Sequence, residues 1–529
     1  MSPKIAATVV KTAVVLIIIV LALSFFANSM AHPVHRNEQM HCTAGVLLSQ
    51  GEMIYRDFSY VGQLPYYPLF CAILFKALNT TYYLLTARGF SVVCDILIVL
   101  CIIGIYRSVF ESFDIEGRLL GAAAAVLYTF NQIVYSNSGF AWSHDVVILC
   151  ILLSFWLFIS ADFKKESRYW RIALIASLLT VATCMRINMV LVQLLFLAML
   201  LVQPVDSAGQ RFKTTLVFLA AMAAVLVWPV WTLILAPRSF FINVFRIPLL
   251  HNKLQQQVGT IYGKLELTLV SLTVPAGILL ALVTAYLCVV FVSNRRRLTI
   301  TRPINLSLAV LLPVIAFIVV LTSPTMYRQY FSMPIPFIII CFAYPILYLR
   351  RLNSAIHFKL VGCLMAACVF VAVASYPAAL FGITVVLKPQ TWTALWVHKT
   401  SEQISAKTKD PKLILTLGPL YALEGGCRIY PQFSAGPFVY GVADKMSASE
   451  LMVTNTVSPK TFKQMLDNAP PSATIVGVEH RSFEQMLIRV GKPRWPEQFY
   501  DENIWERKQY HKPWEKKKDR QDLVVYFRR

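Results

Sequence analysis

Charge is scarce in this chain. Asp, Glu, Lys and Arg together make up 14% of it, against roughly 25% in an ordinary soluble domain. A deficit that deep excludes a water-soluble globule, however large its core. Acid is scarcer than base, with 27 Asp and Glu against 49 Lys and Arg. Such an excess often marks a nucleic-acid binder, but its placement argues for no nucleic acid. Much of it lies in short loops between apolar runs, as the positive-inside rule expects. Metal-type cysteine spacing is also missing. The 11 cysteines include no CxxC pair, and most sit within apolar runs, where Cys acts as a small hydrophobe. No P-loop, GxGxxG, HExxH or GxSxG stands in the context its chemistry needs. Neither a repeat of about 20–50 residues nor a duplication of halves is visible.

What remains is apolar sequence. Residues of the hydrophobic set make up 57% of the chain and the mean hydropathy is +0.60. A helix crossing a bilayer needs about 20 apolar residues, and runs near that length predict spans at 8–28, 84–106, 118–136, 143–161, 170–185, 187–204, 214–235, 267–293, 304–322, 331–349 and 357–383. The expected fold class is therefore a polytopic α-helical membrane protein of about eleven transmembrane helices. The first run resembles a signal peptide but is read as an uncleaved span, because the following spans need its orientation. Pro65–Leu78 is apolar but short, and is read as a helix at the interface.

Basic loops set the direction. Lys164, Lys165, Arg168 and Arg171, then Arg211 and Lys213, then Arg295, Arg296 and Arg297, then Arg350 and Arg351 fall on one face if the N-terminus is cytoplasmic. A large first loop (29–83) then lies outside, with the turn before His144 and the segment after Lys388. The expected division is a transmembrane domain at 1–387 and a C-terminal extracytoplasmic domain at 388–529. In the second part, β-like runs start at Leu413, Ala473 and Asp522, with a helical pattern from Ser458 between them. That alternation predicts a small α/β layer. The stretch 501–519 reads as a loop or surface helix.

Acids are informative where they are rare. Glu38 and Asp57 both stand in the first outer loop, beside apolar sequence. One such carboxylate can deprotonate an acceptor hydroxyl, and the other can orient the acceptor or hold a divalent cation. The plainer reading is that they cap helices or pair with Arg36 and Arg56. His144 and Asp145 open a span, where an acid also serves as an N-terminal cap. Arg88 and Asp95 lie two turns apart on one helix and are read as a structural pair. Arg186 has no acid near it in sequence, and Tyr327-Arg328 opens a late span. An Arg at such depth suits a phosphate, which it grips with a bidentate fork; snorkelling to the interface is the plainer option. Arg246, His251 and Lys253 either extend that site or belong to a solvated loop. Cys42 and Cys427 both fall on the oxidising side, where a disulfide between them is an open option.

Taken in order, these motifs resemble the GT-C superfamily of membrane glycosyltransferases, in particular the bacterial relatives of protein O-mannosyltransferases and lipid A aminoarabinose transferases (glycosyltransferase family 39-like). The elements that carry the likeness are Asn37-Glu38, Gly51 to Asp57, Pro65 to Leu69, Arg88, Asp145, Arg186, and Tyr327-Arg328-Gln329-Tyr330. Asn37-Glu38 departs from the Asp-Glu common in the family, which leaves the first acid's role vacant or moved to Glu38 or Asp57. The resemblance implies a sugar transferase of the bacterial inner membrane. Its donor would be a polyprenyl-phosphate sugar and its acceptor a glycan, lipid or protein. Glu38 or Asp57 would take the acceptor proton, and Asp145 would hold the acceptor or a cation. Arg186 and Arg328 would neutralise the lipid phosphate, with Arg88, His144 and Tyr327 in support. A transporter or flippase would instead place charge at mid-bilayer in duplicated halves, and a scaffold of an envelope polysaccharide complex would not depend on loop acids.

Overall fold

The computed structural model describes residues 3–161, 163, 168–204, 208–258, 264–294, 302–323, 327–352, 355–374, 384–478, 503–513 and 522–529. The first long apolar run folds as helix α1 (Pro3–Ala31). It leaves Val15, Leu16, Ile19 and Val20 exposed while Leu21, Phe25 and Met30 are buried. An apolar stripe of that length on the outside of a helix suits lipid rather than water. The first outer loop carries α2 (Arg36–Ser49) and α3 (Tyr66–Leu78), and α4 (Tyr83–Val109) follows. Next come α5 (Asp114–Thr129), α6 (His144–Ile159), α7 (Arg168–Met185), α8 (Val190–Val202) and α9 (Ala208–Leu235). Then come α10 (Ile247–Val258), α11 (Pro275–Asn294), α12 (Pro303–Thr322), α13 (Pro334–Cys341), α14 (Ala343–Arg351) and α15 (Ala355–Ala374).

Among the described residues, 5 helical stretches are long and apolar enough to cross a membrane. They are Ala7–Ala31, Tyr83–Val109, Ala208–Leu235, Pro303–Thr322 and Arg328–Arg351, and shorter apolar helices stand beside them. The chain is thus a mostly helical, multi-pass membrane protein. Several runs that read as one span are broken. The 267–293 run divides into Lys264–Leu272 and α11 at Pro275. Of the 357–383 run, residues 375–383 lie outside the described residues, as do Lys164, Lys165 and the Arg295–Arg297 cluster.

Two small contacts position the outer loop. An added Cβ at Gly45 of α2 would lie 2.5 Å from Cys71 Cβ of α3, so only glycine lets these helices pack this closely. Pro229, inside α9, cannot bond the carbonyl of Val225. That carbonyl accepts the Tyr66 hydroxyl instead, and Trp228 Nε1 donates to Pro65 O at 3.1 Å. The start of α3 is therefore docked on the proline bend of α9.

The C-terminal segment begins with α16 (Thr393–Lys407). Its strands are β1 (Leu413–Thr416), β2 (Arg428–Ile429), β3 (Ala473–Val476), β4 (Trp505–Tyr510) and β5 (Leu523–Arg528). They form one sheet in the order β2-β1-β3-β5-β4. β1 runs parallel to β2 and β3, while β5 is antiparallel to β3 and β4, with Ile414 opposite Ala473 and Ala473 opposite Phe527. β4 corrects the reading of 501–519 as a loop or surface helix. Its Trp505 and Tyr510 are buried at the two ends, while Glu506 and Arg507 between them are exposed. Charge in the middle of the strand masked its pairing with β5.

One buried contact fastens this segment to the membrane helices. Glu424 accepts the Leu84 N–H at 2.7 Å, which caps α4, and its other oxygen lies 3.3 Å from His398 Nδ1. The His398 ring stacks on Tyr82 with centroids 3.6 Å apart, and Glu402 stands 3.4 Å from its Nε2. The Glu424 carboxylate beside the ring raises the His398 pKa against the opposing effect of burial, while burial raises that of Glu424 itself. A raised imidazole pKa gives a contribution complete below about pH 6.5 and lost as pH climbs through the folded value. Amide exchange at Tyr83 and Leu84 should therefore speed up as pH rises above the imidazole range, beyond its intrinsic pH dependence. His398→Gln should remove that excess, and an identical pH response in the variant would refute the contact's role.

Candidate functional site

Ser29, at the end of α1, starts the construction. Its hydroxyl donates to Gly139 O at 2.5 Å. A Cβ at Gly139, whose φ is +79°, would fall 2.7 Å from Ser29 Cβ. The turn before α6 can therefore press against α1 only with glycine there.

At this junction Arg88 of α4 is fully buried. Its Nε and Nη2 donate to the two Glu38 oxygens at 2.9 and 2.8 Å. Nη1 donates to Ser29 O and His32 O at 2.7 and 2.9 Å, and Nη2 also reaches Pro33 O at 3.1 Å. All five guanidinium N–H groups are thus used. Glu38 also accepts Ala141 N–H at 2.8 Å and His35 N–H at 3.0 Å, the second closing a capping box at the start of α2. Burial pushes the Glu38 carboxyl up, but the Arg88 charge and these hydrogen bonds outweigh it and hold it below the usual range. This corrects two expectations. Arg88 pairs with Glu38 and not with Asp95. Glu38 is closed into an ion pair instead of facing a reaction space.

Asp57 is likewise occupied. Its carboxylate takes Arg56 at 2.6 Å and the Met53 N–H at 2.7 Å, closing a turn. The hydrogen bond from Arg56 is the largest cause of its lowered pKa. Within that turn Tyr55 has a φ of +66° and donates its hydroxyl to Gln63 O at 2.6 Å. Asp145 and Asp95 are both buried, near enough to repel each other. Ser143 makes no side-chain cap to α6 and lies 3.3 Å from Gln63 Oε1 instead.

Beside this scaffold lies a cavity of about 550 Å³. It draws His35, Arg36 and Asn37 from the first outer loop, Gln63 from the stretch before α3, Arg186 and Asn188 from the break between α7 and α8, His251 from α10, and Tyr327 and Tyr330 from the turn before α13. Apolar walls come from Val319 and Val320 of α12, from Phe245 and Leu249, and from Phe438 of the C-terminal segment. Among the described residues no Asp or Glu lines it. Glu38, Asp57, Arg88, His144, Asp145 and Arg328 are not among its lining residues either. Arg328 is exposed, although its neighbours Tyr327, Gln329 and Tyr330 line the cavity.

Arg186 stands out. α7 stops at Met185, Arg186 is extended (φ −145°, ψ 104°), and a short helical turn leads into α8. Irregular backbone at this depth is tolerated where it borders a cavity. The guanidinium lies over the Tyr330 ring at 4.7 Å, and Nη2 lies 2.9 and 2.8 Å from the two ring nitrogens of His144. Its Nη1 lies 3.8 Å from Met333 Sδ, its Nε is buried without a hydrogen-bond partner, and among the described residues no carboxylate pairs with it. A half-buried cation with a spare donor and an aromatic seat suits an anion, above all one with several oxygens.

Sequence reasoning missed His35, Asn37, Gln63 and Tyr330 as lining residues. The His35-x-x-Glu38 spacing of a capping box was the available signal for the first. Cys42 and Cys427 are both buried and unbridged, which corrects the disulfide option; Cys42 packs near Cys71 and Cys427 near Ser405. Among the described residues, no three His, Cys, Asp or Glu side chains converge as a metal centre would need.

No protein-family model matches the sequence, and no curated protein matches it. Solved structures do. ArnT from Cupriavidus metallidurans in the apo state is similar over 99% of this chain and 98% of its own, with TM-score 0.56 and 12% identity. ArnT from the same organism bound to undecaprenyl phosphate matches over 97% and 98%, with TM-score 0.55 and 13% identity. The oligosaccharyltransferase of Archaeoglobus fulgidus, in complex with Zn and sulfate, matches 94% of this chain and 71% of its own, with TM-score 0.51 and 11% identity. At such identities the likeness speaks to the fold, and this chain has the GT-C membrane fold that those proteins share.

Proposed function

We propose that the chain is a membrane glycosyltransferase. It moves a sugar from a polyprenyl-phosphate donor to an extracytoplasmic glycan, lipid or protein by a single inverting displacement. Arg186 carries this reading: a half-buried guanidinium with a buried, unpartnered Nε, bordering a cavity with apolar walls. The lipid phosphate sits on that fork, and the polyprenyl chain runs along Val319, Val320 and Leu249. As the C–O bond to phosphate breaks, charge grows on the phosphate. A fixed cation there lowers the barrier by several kcal/mol in a water-poor site. Tyr330 and His144 hold Arg186 in place. The GT-C fold supports the same reading, since one matched ArnT structure is bound to undecaprenyl phosphate. No step is assigned to a divalent cation.

The reading includes a bacterial inner membrane location, a cytoplasmic N-terminus, about eleven spans within 1–387, and an extracytoplasmic domain at 388–529. The basic loops support the direction, and the sheet of β1–β5 supports a separate layer.

The test uses the purified full chain. Undecaprenyl phosphate should bind it, and at least one radiolabelled undecaprenyl-phosphate sugar, from a panel including mannose, glucose, galactose and aminoarabinose, should lose its label to acceptors in envelope extracts. Binding to none and transfer from none would overturn the proposal.

A further inference from the structure

The polar wall of the cavity is made of amides and cations. Asn37, Gln63, Asn188 and Gln329 line it, and so do Arg36 and Arg186. Among the described residues no carboxylate in the lining offsets that positive charge. The acids of the first outer loop are engaged elsewhere, Glu38 by Arg88 and Asp57 by Arg56 and the Met53 N–H. Residues 254–263 and 324–326, which adjoin lining segments in sequence, contain no Asp or Glu. His35 supplies no negative charge either. Its Nδ1 accepts the Asn37 N–H at 3.2 Å, so the proton of the neutral ring sits on Nε2. An ammonium group entering such a space loses its hydration and meets no carboxylate in exchange. It also meets the like charge of the arginines, and like charges set together are costly. Hydroxyl groups fare differently. Each amide offers N–H donors and a carbonyl acceptor, which suits a row of hydroxyls that both donate and accept. Tyr327 and Tyr330, with rings edge-on at 5.7 Å, add an aromatic surface for the C–H face of a sugar ring.

We propose that the donor sugar is uncharged, a hydroxylated hexose or pentose, and that this cavity rejects amino sugars that carry an ammonium group. The inference rests on the glycosyltransferase reading above and narrows its substrate. With the lipid phosphate on Arg186, the sugar attached to it lies within the same cavity, among the amides. Replacing one sugar hydroxyl by an amine changes the shape little and adds one positive charge. Replacing it by hydrogen removes the same hydroxyl and adds none. The comparison between those two changes isolates the charge.

The test measures kcat/KM of the full chain at neutral pH with undecaprenyl-phosphate donors in matched sets. Each set holds a sugar, its deoxy form and its amino form, altered at one carbon. Mannose, glucose, galactose and arabinose head the sets, and glucuronate is added as an anionic sugar. The amino form should fall below the deoxy form by about a hundredfold. Gln63→Glu places a carboxylate in the wall and should narrow that gap by about tenfold; Asn188→Asp gives the same reading if Gln63→Glu unfolds in a thermal melt. An amino form used as well as its hydroxyl parent overturns the proposal. A deoxy form as slow as the amino form overturns it too, because the hydroxyl and not the charge is then being read. A gap that neither acidic variant narrows takes the sugar out of this cavity, and a glucuronate donor that outruns glucose makes the substrate anionic. A wild type that moves no sugar fails at the earlier step, and the transferase reading falls with it.

Discussion

Substituting Glu38 by Gln, or Arg88 by Met, is expected to destabilise the fold by about 3–5 kcal/mol, the typical cost of leaving one member of a buried pair unmatched. Both side chains are fully buried, and their bonds join α1, α2, α4 and the turn before α6. Glu38→Gln leaves the Arg88 charge inside the protein with carbonyls alone. Arg88→Met leaves a carboxylate there and orphans three carbonyl oxygens. Glu38→Leu combined with Arg88→Met should recover part of the loss, because no unpaired charge remains. The measurement is unfolding of the purified chain in detergent, followed by heat and by denaturant. It also separates two roles for Glu38. A catalytic base replaced by its amide would lose turnover at full stability, whereas a clamp loses stability first. Equal unfolding temperatures in wild type and Glu38→Gln, with turnover gone, would restore Glu38 as the base. Acid gives an independent check. The folded pKa of Glu38 is held below the ordinary range, so the pair's contribution is present above about pH 4.3 and is lost as pH falls.

This clamp shows where sequence reading stops. Glu38 and Asp57 drew notice as acids in an outer loop, and both are engaged, but nothing local foretold that Glu38 would meet Arg88 at a separation of 50 residues. The Arg88–Asp95 pairing failed for the same reason: helical spacing permits contact, while the five acceptors around Arg88 come from other elements. Long apolar runs such as Tyr83–Val109 were legible because lipid imposes a length and a polarity on each crossing. The break at Arg186 was legible too, since a lone cation in an apolar run rarely continues a span unnoticed. The cavity itself was not. Its wall is assembled from segments as distant as His35 and Phe438, and no pattern within one segment encodes that meeting. Arg328 was misread by one step. The tyrosine-rich turn does reach the cavity, but through Tyr327, Gln329 and Tyr330.

Arg186→Gln should reduce transfer by about 10²–10³-fold and leave the fold intact. The contrast with Arg88 supplies the reason. Arg88 has an acceptor for each of its donors, so its charge belongs to the fold. Arg186 has an aromatic seat, an imidazole contact and a long contact to Met333 Sδ, while its Nε is buried and unmatched. Removing a charge that has no carboxylate partner leaves no opposite charge stranded, so the fold should lose little. What it removes is the cation facing the departing phosphate. Arg186→Lys keeps the charge but not the planar fork, so its rate should fall between wild type and Arg186→Gln. Undecaprenyl phosphate binding should weaken less than turnover, because the demand on the cation is greatest when the bond to phosphate breaks. Turnover, undecaprenyl phosphate affinity and unfolding temperature measured on the same three proteins give the decision. An Arg186→Gln chain that transfers at the wild-type rate would remove the phosphate from this cavity. A chain that unfolds early would make Arg186 a second clamp.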